Sequence, residues 1–211
     1  MPLTKKLDLI DGFRKFRRRY FILDKDLYLN LSTKGQSPKT LLIACSDSRV
    51  DPAILLSSEP GDLFVIRNVA NLVPPYEEGG GHHGTSAAIE FAVNNLKVED
   101  IVVLGHAQCG GVAALAAGQA AEGGSFISKW VNIAADARIA ALKKESPDNF
   151  KQFCHECELE AIKVSIKNLK TFPFIQKRLD EGSLTVSGWY FDLEVGKMWE
   201  YSEKGDSYIE L

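Results

Sequence analysis

Three short apolar runs, TLLIA (40–44), DLFVIRN (62–68) and DIVVLG (100–105), cross the first half of the chain. The first and third are continuous rather than alternating, which marks strands buried on both faces. Between and after them, apolar positions recur three and four apart. Ala88, Phe91, Ala92 and Leu96 follow a Gly-Thr-Ser start and predict a helix over 84–97. The alanine-rich GVAALAAGQAA and the segments 127–145 and 149–170 read as further helices. SLTVSGWYFDLEVGKMWEY (183–201) reads as strands around a turn near Gly196. This alternation predicts an α/β fold with a mostly parallel central sheet flanked by helices and a C-terminal antiparallel strand extension. Upstream, Leu3, Leu7, Ile10, Phe13, Phe16 and Tyr20 form a helical stripe over 3–20. LNLSTKGQSPK (29–39) reads as a loop. The expected organisation is a single domain over 1–211, with a helical arm at 1–35 and an α/β core at 36–211.

Composition narrows the partners. With 211 residues the chain can bury a full core, and 45% hydrophobic with 25% charged residues is ordinary for a globular protein. The net charge of -3 gives no footprint for nucleic acid, so the basic face Arg14, Lys15, Arg17, Arg18 and Arg19 reads as solvated or subunit-contacting. No apolar run is long enough to span a membrane, and the N-terminus lacks the apolar core of a signal peptide. Four cysteines in a chain of this size need no disulfide role, so reduced thiols and a cytoplasmic setting are expected.

The chemistry concentrates at two strand ends. TLLIA stops at Cys45 and is followed at once by Ser46, Asp47, Ser48 and Arg49; DIVVLG stops at His106 within GHAQCGG, where Cys109 follows. Parallel sheets bind ligands just beyond the carboxyl ends of their strands, so Cys45, His106 and Cys109 are delivered to one sheet edge. Two thiolates and an imidazole suit Zn2+, and three protein ligands leave a fourth tetrahedral position open for water. A lone buried cysteine is usually a small hydrophobe, and a single His-x-x-Cys is weak; the convergence of both at strand ends carries the metal reading.

CSDSRVDP, RNVAN (67–71), GTSAAIEFAV (84–93) and GHAQCGG resemble, in order and spacing, the β-class carbonic anhydrases. The resemblance implies zinc on Cys45, His106 and Cys109, and hydration of carbon dioxide to bicarbonate and a proton by attack of zinc-bound hydroxide. It implies a homo-oligomer, a dimer or a dimer of dimers, with the N-terminal arm packed on a partner subunit. It places the family's aspartate–arginine pair on Asp47 and Arg49, where a guanidinium fork can hold a carboxylate bidentately. It assigns the substrate pocket to Gln36, Phe64, Val69, Phe91 and Gly110, with Phe91 standing where the family often has tyrosine. Asp47 binds zinc itself only in a closed subclass, whose bicarbonate pocket uses a tryptophan and a glycine where this chain has Leu42 and Ala44. An open site is therefore expected.

Two alternatives stand beside this reading. A hydrolase of carbonyl sulfide or carbon disulfide would use the same metal motif, and a non-enzymatic regulator would share the fold. Gln36, Phe64 and Val69 favour carbon dioxide, and the intact ligands argue against a regulator. Cys154-His155-Glu156-Cys157 falls inside a helical pattern without a partner CxxC and reads as a helix face rather than a redox centre. His82 and His83 in the glycine-rich loop VPPYEEGGGHHG (73–84) read as surface residues near a subunit contact.

Overall fold

The computed structural model describes residues 2–79, 81, 83–118 and 124–211, with 2–6 described by their backbone. The chain divides into two compact units, Met1–Ser37 and Pro38–Leu211. The smaller holds α1 (Pro2–Arg18), a wider turn at Arg19–Leu23, and α2 (Asp26–Lys34). An aromatic cluster closes these helices: the Tyr28 ring centroid lies 4.8 Å from Phe21 and 5.5 Å from both Phe16 and Tyr20. Helix α2 corrects the loop expected over 29–39. The Ser32 and Thr33 hydroxyls donate to the Leu29 carbonyl at 3.0 and 2.7 Å, so these turn-forming side chains are satisfied inside a helix. The helix ends at Gly35, whose φ of +80° suits glycine, and the loop is confined to 35–39.

The larger unit is built on one sheet: β1 (Thr40–Cys45), β2 (Leu63–Asn68), β3 (Asp100–His106), β4 (Thr185–Asp192), β5 (Lys197–Ser202) and β6 (Ser207–Glu210), ordered 2-1-3-4-5-6. Strands β2, β1, β3 and β4 are parallel; β5 and β6 are antiparallel. Strands β1 and β3 are central, which is why their apolar runs are continuous: Leu41 to Ala44 have no exposed surface. Leu41, Ile43, Ile101 and Val103 pack under Ile89 and Val93 of the 84–95 helical segment and Ile162 and Ile166 of α8 (Phe150–Leu169). Leu42, Ala44, Val102 and Leu104 face the other way, toward Leu55 of α3 (Pro52–Leu55), Trp189 and Met198.

Two expectations are modified here. The helix expected over 127–145 is broken into α6 (Phe126–Val131), a tight turn at Asn132–Ala134 and α7 (Ala135–Ala141). The C-terminal hairpin gains a third strand, β6, paired to β5. Helices α4 (Gly84–Glu90), α5 (Gly110–Ala116) and α9 (Pro173–Asp180) complete the unit. No helix among the described residues is long and apolar enough to cross a membrane.

Close packing of α8 on β4 depends on Gly188. A Cβ there would stand 2.5 Å from Ile162 Cγ2 and 2.7 Å from Ile166 Cδ1. Both isoleucines are buried and cannot swing into solvent. Gly188→Ala should therefore destabilise the fold by about 1–3 kcal/mol, the usual cost of overpacking, read as a lower urea midpoint. An unchanged midpoint would show that the interface yields.

Candidate metal centre

The parallel register brings the carboxyl ends of β1 and β3 side by side. Cys45 closes β1, His106 closes β3, and Cys109 caps the start of α5. Their donor atoms lie within 4.8 Å of one another, and all three residues are buried. The two sulfurs are 3.9 Å apart. His106 Nδ1 lies 2.8 Å from the Ala107 carbonyl and so carries the ring proton, which leaves the lone pair on Nε2. That Nε2 is the one buried side-chain nitrogen or oxygen among the described residues with no hydrogen-bond partner. An orphaned buried acceptor is costly. One imidazole lone pair beside two thiols is the donor set that zinc prefers, and the residues fit the metal.

The local charges agree. The Cys45 thiol is drawn well below its ordinary range, chiefly by a hydrogen bond from Cys109, against burial and with help from His106 and the Asp47 and Ala70 N–H groups. The same contact and burial push Cys109 up. Without metal the pair shares one proton, and a cation that takes both sulfurs must displace it.

Asp47 and Arg49 form a fork. Arg49 Nε donates to Asp47 Oδ1 at 3.0 Å and Nη2 to Oδ2 at 2.7 Å, while the Arg49 N–H donates to Oδ1 at 2.9 Å. The guanidinium holds the Asp47 carboxyl well below the usual carboxylate range. Asp47 Oδ2 lies 4.0 Å from His106 Nε2, on the side where the donors converge.

The RNVAN segment buttresses the centre. Ala70 and Asn71 adopt φ of +65° and +48°, a bend held by Asn68, whose side chain bonds the Leu72 carbonyl and N–H at 2.9 and 2.8 Å. The bend fits against α5 because residue 111 is glycine: a Cβ there would meet Val69 Cγ1 at 2.5 Å. Phe64 and Phe91 are brought together, with ring centroids 5.9 Å apart; Val69 and Phe91 are partly exposed. Gly110 opens α5 with free space where a side chain would stand. Gln36 is exposed and belongs to the smaller unit. Leu42 and Ala44 are sealed in an apolar cluster.

Several residues of the centre escaped the sequence reading. Arg67, quoted within RNVAN without a role, donates to the Cys45 carbonyl at 3.0 Å and the Asp47 carbonyl at 2.8 Å, and pairs with Asp51 at 3.0 Å. Its signal was a guanidinium at the end of a strand. Glu158 is buried, accepts from the Cys109 N–H at 3.0 Å and from the Tyr190 hydroxyl at 3.0 Å, and lines a cavity of about 490 Å³ behind Cys109. Its signal was a carboxylate beside Cys157, flanking the apolar helix stripe Phe153–Cys157–Ala161. Gln108 contacts Arg49.

Cys154 and Cys157 lie along α8, as expected from their helical pattern, and are not among the converging donors. Burial pushes the Cys157 thiol up to about 12 and raises Cys154 as well, which makes both poor nucleophiles. Cys154→Ser with Cys157→Ser should leave metal content and activity within about twofold of wild type. Loss of metal there would relocate the centre. His83 lines a small pocket with Glu77 and Glu90; His82 lies outside the described residues.

The sequence model of the carbonic anhydrase family matches residues 40–198. The chain belongs to the β-class carbonic anhydrases. Among relatives, it is 40% identical to β carbonic anhydrase 5, chloroplastic, of Arabidopsis thaliana over 186 residues, 88% of this chain and 61% of that protein. The chain thus spans about three fifths of that relative's length. The solved β-carbonic anhydrase CcaA superposes with a TM-score of 0.88 at 36% identity, covering 99% of this chain and 92% of the other. One of the tetrameric β-carbonic anhydrases of Sordaria macrospora superposes with a TM-score of 0.76 at 29% identity, covering 94% and 96%. The family match takes in both strand ends, so Cys45, His106, Cys109, Asp47 and Arg49 all fall within it.

Proposed function

We propose that this β-class carbonic anhydrase catalyses the reversible hydration of carbon dioxide to bicarbonate and a proton at the Cys45–His106–Cys109 centre. The observation that carries the proposal is the orphaned His106 Nε2, fixed by its tautomer, beside two thiols and a clamped Asp47. Cys45 Sγ, Cys109 Sγ and His106 Nε2 would hold zinc. Zinc, when bound, acts as a Lewis acid that lowers the pKa of water toward neutrality.

The chain's own residues supply the rest. Asp47, kept ionised by Arg49, is an acceptor at every working pH and orients a proton-bearing nucleophile through Oδ2. Arg67 fixes the backbone carbonyls of Cys45 and Asp47 and so holds the first ligand and the acceptor in one frame. Phe64, Val69 and Phe91 give an apolar approach suited to a linear gas, and Gly110 leaves room beside it. The Asp47–Arg49 fork supports the open form. Leu42, buried among apolar side chains, offers bicarbonate no N–H.

A homo-oligomer fits the chain. The Sordaria macrospora relatives are tetrameric, and Leu7, Ile10 and Phe13 of α1 are exposed in a single subunit, an apolar face suited to a partner. Free cysteines suit the reducing cytoplasm. Stopped-flow hydration with zinc analysis of the same sample tests the activity, and sedimentation tests the assembly. A zinc-loaded chain that hydrates no carbon dioxide but cleaves carbonyl sulfide or carbon disulfide would transfer the site to that hydrolase chemistry.

A further inference from the structure

Two of the four acceptors around the Arg49 guanidinium belong to Gln108. Nη2 donates to its backbone carbonyl at 3.0 Å, and Nη1 to its side-chain Oε1 at 3.4 Å. The other two are the carboxylate oxygens of Asp47. Gln108 sits between His106 and Cys109 with φ of +57°, a conformation that a side-chain-bearing residue adopts at a cost. Its amide runs on to the turn after β4: Nε2 donates to Glu194 Oε1 at 2.6 Å. Glu194 is itself fixed, by its N–H on Asp192 Oδ1 at 2.7 Å and by Lys151 Nζ at 3.1 Å. The amide thus presents oxygen to a cation and nitrogen to an anion, the one orientation that satisfies both ends.

We propose that Gln108, anchored by Glu194, is a positioning residue that grips Arg49 opposite Asp47 and so keeps the Asp47 carboxylate off the open metal position. The inference rests on the carbonic anhydrase reading above. Arg49 is half exposed and Asp47 mostly covered, with side-chain exposures of 48% and 18%. An ion pair of that kind, left to itself, retains rotamer freedom and is weakly held. Asp47 Oδ2 already stands 4.0 Å from His106 Nε2, so a modest rotation would bring it among the donors. Gln108 removes that freedom because the guanidinium is planar, and fixing its far edge fixes the edge that carries Asp47. Glu194 lies in the β4–β5 turn, where its N–H is held by Asp192 Oδ1 and its carboxylate pairs with Lys151 at the start of α8.

The test uses the full chain with cobalt in place of zinc and azide as a probe of the open position. Gln108→Ala, which removes the side-chain acceptor and its Glu194 anchor while the backbone carbonyl still accepts from Nη2, should keep full metal content and the wild-type unfolding midpoint. Its azide dissociation constant at neutral pH should rise about tenfold, and kcat/KM for carbon dioxide should fall by a similar factor, equivalent to about 1.4 kcal/mol. The rise follows because Asp47 then competes for the position azide would take. Glu194→Ala, which changes only a half-exposed side chain, should move both quantities in the same direction by less. It also carries the test if Gln108→Ala folds poorly. Glu194→Gln should restore both, because its amide oxygen still accepts from Gln108. Wild-type azide affinity and kcat/KM in Gln108→Ala and Glu194→Ala would overturn the proposal. So would Glu194→Gln as impaired as Glu194→Ala, since surface charge alone would then explain the loss. A wild-type chain that binds no metal or hydrates no carbon dioxide refutes the proposed function instead.

Discussion

His106→Ala should lose zinc and carbon dioxide hydration together, with kcat/KM falling roughly a thousandfold or more, about 4 kcal/mol of transition-state stabilisation. The imidazole is 1% exposed, and its Nε2 has no other use among the described residues. Removing it leaves two thiols 3.9 Å apart, which cannot complete the centre. Stability separates this outcome from simple unfolding. In the metal-free protein the orphaned Nε2 is a liability, so its removal offsets part of the cavity it leaves. Metal bound only to the folded state adds stability that grows with the logarithm of its concentration. A chelator should therefore lower the wild-type Tm and leave the variant's Tm unmoved, while chelated wild type loses activity as the variant does. Full zinc content with wild-type turnover in His106→Ala would place the reaction elsewhere.

The sequence revealed most where periodicity and chemistry coincide. The continuous runs of β1 and β3 are legible because both strands are sealed on both faces, and their ends coincide with Cys45 and His106. The meeting of Cys109 with Cys45 follows from parallel pairing of adjacent strands, which the βαβ alternation implies. What escaped lies in contacts between distant segments. Glu158 is 49 residues from Cys109 and Glu194 is 86 from Gln108, and no local pattern links either pair. Helix α2 escaped for the opposite reason. Its Ser, Thr and Asn side chains imitate a loop, yet Asn30, Ser32 and Thr33 each donate to carbonyls one turn back. Strand β6 is short and carries one partly buried residue, Tyr208, whose hydroxyl donates to the Leu159 carbonyl at 2.7 Å. Its hold is a long-range contact too.

Glu158→Ala should weaken both the fold and the metal site, although Glu158 offers no ligand of its own. The carboxylate is 5% exposed, and burial raises its pKa to about 7 against the opposing pull of the Cys109 N–H and the Tyr190 hydroxyl. It is kept in an unfavourable place by what it holds. Cys109 is the residue before α5, where helix N–H groups have no partner within the helix, and Glu158 Oε1 accepts that donor at 3.0 Å. Removing the acceptor leaves a buried N–H unpaired, at about 1–3 kcal/mol. The lost Cγ methylene adds a further cost of roughly 1 kcal/mol through the cavity it leaves. The Tyr190 hydroxyl suffers less, because His155 Nδ1 stands 3.0 Å from it as a second partner. With its backbone released, Cys109 Sγ is no longer aimed at Cys45, and zinc affinity should fall by about 10–100-fold, as when a group orienting a metal ligand is lost. Chelator competition reads the affinity, and urea unfolding of the metal-free protein reads the fold separately. Glu158→Gln retains an acceptor for Cys109 and should keep most of the affinity. If Glu158→Ala binds zinc as tightly as wild type, α5 alone positions Cys109, and the buried carboxylate is there for Tyr190 rather than for the metal.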